Sequence, residues 1–180
     1  QVYTFTIREG VQWHDGRPFS AEDVLFTIKA AMVPFVDDAA FRSYFSKLAT
    51  AEIVGKNQIR FRMTEAHWLN EADLGTNIRP LPKHIYDPDG LLDRYSFEDI
   101  VNAKAASDPD LKKFGEAFNA NPANRKPIGT GPYKFEKWET SHEIVLLRNE
   151  SYWGNKPHLD RIVYKVIPDH TTALAALKGG

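Results

Sequence analysis

Gly129-Thr130-Gly131-Pro132-Tyr133 is the stretch that most invites a chemical reading, because glycine-rich turns can aim successive backbone N–H groups at a phosphate. Two features argue against that use. Pro132 has no N–H to donate, and a strand-like run follows it where an anion site needs the N-terminus of a helix. A sharp turn delivering the chain into a strand accounts for the glycines instead. On that reading Gly131→Ala costs about 1 kcal/mol or more if the native φ is positive.

Six histidines stand at positions 14, 67, 84, 142, 158 and 170. None forms a His-Glu-x-x-His pair, and no two lie four apart on one helical face, so the spacing predicts neither a metal site nor any other cofactor. His14, beside Asp15 in a turn, is expected to hydrogen-bond its own loop rather than to act as a base. There is no Gly-x-Ser-x-Gly elbow, the carboxylates fall on polar helix faces, and the absence of cysteine excludes thiolate nucleophiles and zinc ribbons. No catalytic residue is predicted. Tyr152-Trp153, with Trp13, Trp68 and Trp138, could stack on a ligand or plug the edge of a core, and spacing alone leaves both open. The same holds for Phe41, Tyr44, Phe45 and Leu48, which share one side of a helix read over residues 39–48.

The elements that position these groups are clearest near the start. Tyr3, Phe5 and Ile7 alternate with Thr4, Thr6 and Arg8, as in a half-buried strand. His14-Asp15-Gly16 turns the chain, Ser20 and Asp23 form a capping box, and Val24, Leu25, Ile28 and Met32 give a helix whose apolar stripe faces the preceding strands. Residues 51–54 and 58–63 make a hairpin around Gly55-Lys56-Asn57, with Ile59, Phe61 and Met63 on its dry face. A short helix is read over 65–74, an extended piece over 79–84 and a turn at 87–90. Helices follow over 96–101 and from Ser107 or Asp108 to Asn119. Residues 133–139, 143–148 and 161–167 then form a sheet meander, before Asp169 caps a helix over 171–177.

Hairpin-length connections predict a mixed α+β fold with a mainly antiparallel sheet, the 3–7 strand lying near the 58–63 strand. At 180 residues and 42% hydrophobic, the chain can bury a core as one ordinary domain or two small ones. Its apolar runs are too short for a membrane span. A net charge of −1 gives no footprint for nucleic acid or anionic lipid. Neither end reads as a natural terminus, so the chain is expected to be an excerpt.

Three stretches together resemble the bacterial extracellular solute-binding proteins of family 5, the oligopeptide-, dipeptide- and nickel-binding type that feeds ABC importers. The first holds Arg8-Glu9-Gly10-Val11, His14-Asp15-Gly16, Pro18 and Ala21-Glu22-Asp23-Val24. The second is Leu81-Pro82-Lys83-His84. The third runs from Gly129-Thr130-Gly131-Pro132-Tyr133 through Arg148-Asn149 and Tyr152-Trp153 to Pro157-x-Leu159-Asp160-x-Ile162. Lys178-Gly179-Gly180 departs from the glycine and acidic pair that continue the family pattern.

The resemblance implies part of lobe I of a periplasmic-binding-protein type II fold, with residues 1–132 the extra subdomain of the first lobe and 133–180 the returning strands and helix of the main lobe. It implies a monomeric substrate-binding component of an ABC importer, without catalysis, that captures peptides or similar small solutes. The receptor would be periplasmic, or lipid-anchored outside the cytoplasmic membrane, with permease subunits of the inner membrane as partners. A ligand-sensing receptor on the same fold is the alternative, and a hydrolase fragment a further one. For ligand contact the resemblance points to Tyr44 and Arg79; the competing expectation is Tyr44 in the core and Arg79 in a surface ion pair.

Overall fold

The alternating start of the chain becomes strand β1, Val2–Thr6, in the computed structural model, which describes residues 1–179. β1 pairs antiparallel with β3, Gln58–Met63, and β3 pairs on its other edge with β2, Leu48–Gly55, giving the order β1-β3-β2. Ile59, Phe61 and Met63 point into the core while Arg60 and Arg62 stay in water, as the two-residue period requires. β2 starts three residues before the expected position, so the helix read over 39–48 is only α2, Ala39–Tyr44. The physical reason is that Phe45 and Leu48 are drawn into the core, Leu48 already lying in the ladder opposite Met63.

Helix α1, Ala21–Met32, begins as expected: Ser20 and Asp23 form the full capping box. It buries two faces rather than one. Val24 and Ile28 meet the sheet side with Phe45, Ile59, Phe61 and Phe97, whereas Phe26 and Ala30 meet Val33, Leu92, Ile100, Leu111 and Phe114 behind it. The helix is therefore the spine of the first half of the fold.

One shorter helix shifts at its start and another was not expected. α3 is Asn70–Thr76, five residues later than read, and α4 is Lys83–Tyr86, so the extended piece ends at Pro82. Pro82 takes the position before the helix, and the buried Asp23 carboxylate accepts from the Lys83 N–H at 3.1 Å. Capped by Ser96 and Asp108, α5 (Phe97–Val101) and α6 (Pro109–Asn119) stand where expected. Unforeseen 3-10 turns occupy Leu91–Arg94, Ala103–Ser107 and Pro122–Asn124.

A second antiparallel sheet follows: β4 (Tyr133–Glu139), β5 (Glu143–Arg148) and β6 (Arg161–Lys165), in the order β4-β5-β6. Helix α7, His170–Gly179, closes the described residues; Asp169 accepts from the Thr172 N–H at 2.7 Å. The fold is thus mixed α+β with antiparallel pairing, divided between two small sheets.

Candidate functional site

The residues after α1 build one wall of a cleft. The Arg42 guanidinium donates to the carbonyls of Ala31, Val33 and Val36, at 3.2, 3.3 and 2.7 Å, and so clamps α2 to the C-terminal end of α1. Asp38 caps α2 by accepting from the Phe41 N–H at 3.1 Å. Held this way, α2 sends Phe45 into the core, leaves Phe41 half-buried and turns Tyr44 outward, 63% exposed.

The facing wall is the extended segment before α4. Thr27 fixes it: its hydroxyl accepts from the Leu81 N–H at 2.8 Å and donates to the Asp23 carbonyl at 2.7 Å. Arg79 stands two residues earlier, exposed, with no carboxylate within 4.0 Å among the described residues. Phe118 of α6 closes the third side. The cleft, open to solvent, is about 450 Å³; Val36, Phe41 and Leu81 give it an apolar part, and Tyr44, Arg79, Asp38 and Asn77 also line it. The two residues picked out from the sequence therefore meet at one cleft. Tyr44 is exposed rather than in the core, and among the described residues Arg79 is in no ion pair. Such a lining can cover an apolar group and offer a carboxylate a fork of donors.

The glycine-rich stretch bends the chain into β4, as the turn reading expects, but without left-handed backbone. Neither Gly129 nor Gly131 has a positive φ, so the expected strain of Gly131→Ala does not arise, and a methyl group there meets open space. What shapes the loop is its partners. Trp153 donates its indole N–H to the Thr130 carbonyl at 2.9 Å; Asn149, buried, donates to the Gly131 carbonyl at 3.1 Å. His14 crosses over to bond this loop rather than its own turn, which corrects the expectation for that residue. Arg8 lies over the Trp153 ring at 4.9 Å. The motif residues are thus braces.

Elsewhere the turn between β4 and β5 gathers Glu139, His142 and Glu143, potential metal ligands that no sequence spacing rule suggested. The Lys137 ammonium already lies 2.8 Å from both carboxylates; those two contacts, largest first from Glu139, hold its pKa above the ordinary lysine value. His84 sits 2.7 Å from Asp15. Burial raises the Asp15 pKa, but the Arg17 N–H and His84 outweigh it, and the net shift is downward. Trp13 is buried and donates to Asp23, Trp138 lies under Arg125, and Trp68 is exposed. Phe118 was missed as a lining residue. Its place in the stripe Leu111, Phe114, Phe118 announces a helix face but not that the last ring reaches a cleft formed by α2.

A family model described as bacterial extracellular solute-binding proteins, family 5 Middle, matches residues 1–180. The oligopeptide-binding protein AppA of Bacillus subtilis is 33% identical over 183 residues, covering 99% of this chain and 28% of AppA. Among solved structures, NikZ of Campylobacter jejuni in complex with Ni(L-His) superposes with a TM-score of 0.75 at 30% identity, covering 99% of this chain and 30% of NikZ. AppA of Bacillus subtilis in complex with a nonapeptide gives a TM-score of 0.74 at 29% identity, covering 99% of this chain and 31% of AppA. The chain thus spans under a third of the length of the relatives it matches.

Proposed function

The chain belongs to the bacterial extracellular solute-binding proteins of family 5, and we propose that it forms part of the ligand-capturing lobe of an ABC importer's substrate-binding component. In this reading residues 1–132 are the extra subdomain of the first lobe and residues 133–180 the strands and helix that return to the main lobe. The receptor works without catalysis, as a monomer, in the periplasm or lipid-anchored outside the cytoplasmic membrane, and passes its solute to permease subunits. No helix of the described residues is long and apolar enough to cross a membrane.

The observation that carries the proposal is the cleft that Tyr44 and Arg79 line together, beside its apolar part. Arg79, without a carboxylate of its own, suits a peptide carboxylate or an anionic metal complex. Tyr44 covers the apolar part of the ligand with a flat ring at small entropic cost. The test is calorimetry on the full-length receptor with two probes, a nonapeptide and nickel with L-histidine, in wild type, Arg79→Ala and Tyr44→Ala. Each substitution should weaken the probe that binds by roughly tenfold or more, the loss of one charge-assisted or stacking contact of about 1.4 kcal/mol. Unchanged affinity in both variants removes these residues from the site.

A further inference from the structure

His14, in the turn between β1 and α1, joins that turn to the loop before β4 and to β4 itself. Its backbone N–H donates to the Gly129 carbonyl at 2.9 Å, and the Gly129 N–H returns a bond to ring Nδ1 at 3.1 Å. Ring Nε2 lies 3.0 Å from the Gly131 carbonyl, and Lys134 of β4 donates to the His14 carbonyl at 3.3 Å. Among the described residues, every hydrogen bond between residues 1–128 and residues 129–179 involves His14, save one from Arg125 to Thr140. The ring's protonation state follows from its partners. An N–H donates to Nδ1, so Nδ1 carries a lone pair; a carbonyl faces Nε2, so Nε2 carries the hydrogen. The ring is neutral and fixed in one tautomer.

We propose that His14 is a proton-operated pin, which ties the Gly129 N–H to the turn before α1 while its imidazole is neutral and frees that N–H when Nδ1 takes up a proton. A protonated Nδ1 is a donor, and it would then face another donor, the Gly129 N–H. That bond cannot persist. The Gly129 N–H loses its acceptor and opens to solvent, while the His14 N–H bond to the Gly129 carbonyl, the Nε2–H bond to Gly131 and the Lys134 bond survive.

The groups around the ring bear on the equilibrium. Burial is the largest influence and lowers the His14 pKa; the Gly131 carbonyl raises it, Lys134 lowers it, and Asp15 raises it. The net position is below the ordinary value of 6.5. Asp15 is partly engaged elsewhere, by the Arg17 N–H at 3.1 Å and by His84 at 2.7 Å. Because the folded pKa is depressed, the pin is fully in place above pH 6.5. It is withdrawn as pH falls from 6.5 through the folded value.

Two measurements on the protein test this. Nitrogen-resolved NMR of the His14 ring across pH 4–8 should show the Nε2–H tautomer at neutral pH and a midpoint below 6.5; the other tautomer, or a midpoint at or above 6.5, overturns the proposal. Hydrogen exchange at Gly129, corrected for the pH dependence of free-peptide exchange, should lose protection by tenfold or more between pH 7 and pH 5. The comparison is His14→Gln, whose amide can both accept from Gly129 and donate to Gly131 but does not titrate. Its Gly129 protection should be independent of pH, and an equal loss in that variant, or none in wild type, refutes the pin. If His14→Gln does not fold, the wild-type ring titration and the wild-type Gly129 exchange still decide.

Discussion

Two glycines show how the same residue type answers to different physics. Gly115 lies inside α6, where alanine is normally better by about 1 kcal/mol. Its missing Cβ would stand 2.5 Å from the Phe35 Cβ and 2.8 Å from that residue's backbone C and O, in the loop between α1 and α2. Backbone cannot swing aside as a side-chain tip can, so overpacking, which costs about 1–3 kcal/mol, outweighs the propensity gain. Gly115→Ala should lower the unfolding free energy read from urea denaturation, by up to about 2 kcal/mol net. Gly131→Ala, with ordinary φ and open space, should fall within about 0.5 kcal/mol of wild type. A neutral Gly115→Ala would show that the helix and loop can separate at little cost. The sequence made Gly131 look special and Gly115 ordinary. Proximity to Phe35, eighty positions away in the chain, is a tertiary fact that no local pattern carries.

Local signals served best where one element satisfies itself. The capping box of Ser20 with Asp23 was legible because the partners are three residues apart, and the structure adds a second one, Ser96 with Asp99, that the sequence reading did not name. Their surroundings differ, and the difference was not legible. Asp99 is exposed and serves only its own helix through Ser96, whereas Asp23 is buried and accepts from the Ser20 N–H at 3.0 Å, the Trp13 indole at 3.3 Å and the Lys83 N–H at 3.1 Å. One carboxylate thereby fastens the turn before α1 and the start of α4 to α1 itself. Hydrogen bonds to a charged group contribute about 1.5–3 kcal/mol, and a buried donor left alone carries its own desolvation cost. Asp23→Asn replaces one acceptor oxygen with a donor aimed at existing donors. It should destabilise by about 2 kcal/mol in chemical denaturation, and Asp99→Asn by clearly less. Equal effects would mean that the bonds to Trp13 and Lys83 contribute nothing beyond the cap. The same tertiary ties set two boundaries that local patterning did not: α4, unread in the sequence, starts at Lys83 against Asp23, and β2 starts at Leu48, which is drawn into the core.

Across the whole molecule, burial is uneven, and so stability should be. The first sheet and the helices around α1 enclose two clusters of buried apolar side chains, one on each side of that helix. The second sheet has Val145 in the buried class but leaves Trp138, Leu147, Val163 and Tyr164 more than a third exposed; α7 buries no residue and presents Leu177 at 81% exposure. The strands of that sheet were readable from alternation, and the resemblance placed them in a larger lobe. What lies against them could not be read, since alternation says which face is apolar and not what covers it. Local opening follows burial: a ten-residue helix has little stability without packing, whatever its N-cap. β3 is the opposite case, a central strand paired on both edges with Ile59 and Phe61 fully enclosed. Native-state hydrogen exchange on the 180-residue chain should therefore find the β3 amides opening only with global unfolding, those of β6 opening at lower free energy, and those of α7 exchanging within a small factor of an unstructured peptide. Protection in α7 comparable to that of β3 would show that the helix is held by contacts its exposed surface does not reveal, for instance self-association, which a concentration series would then expose.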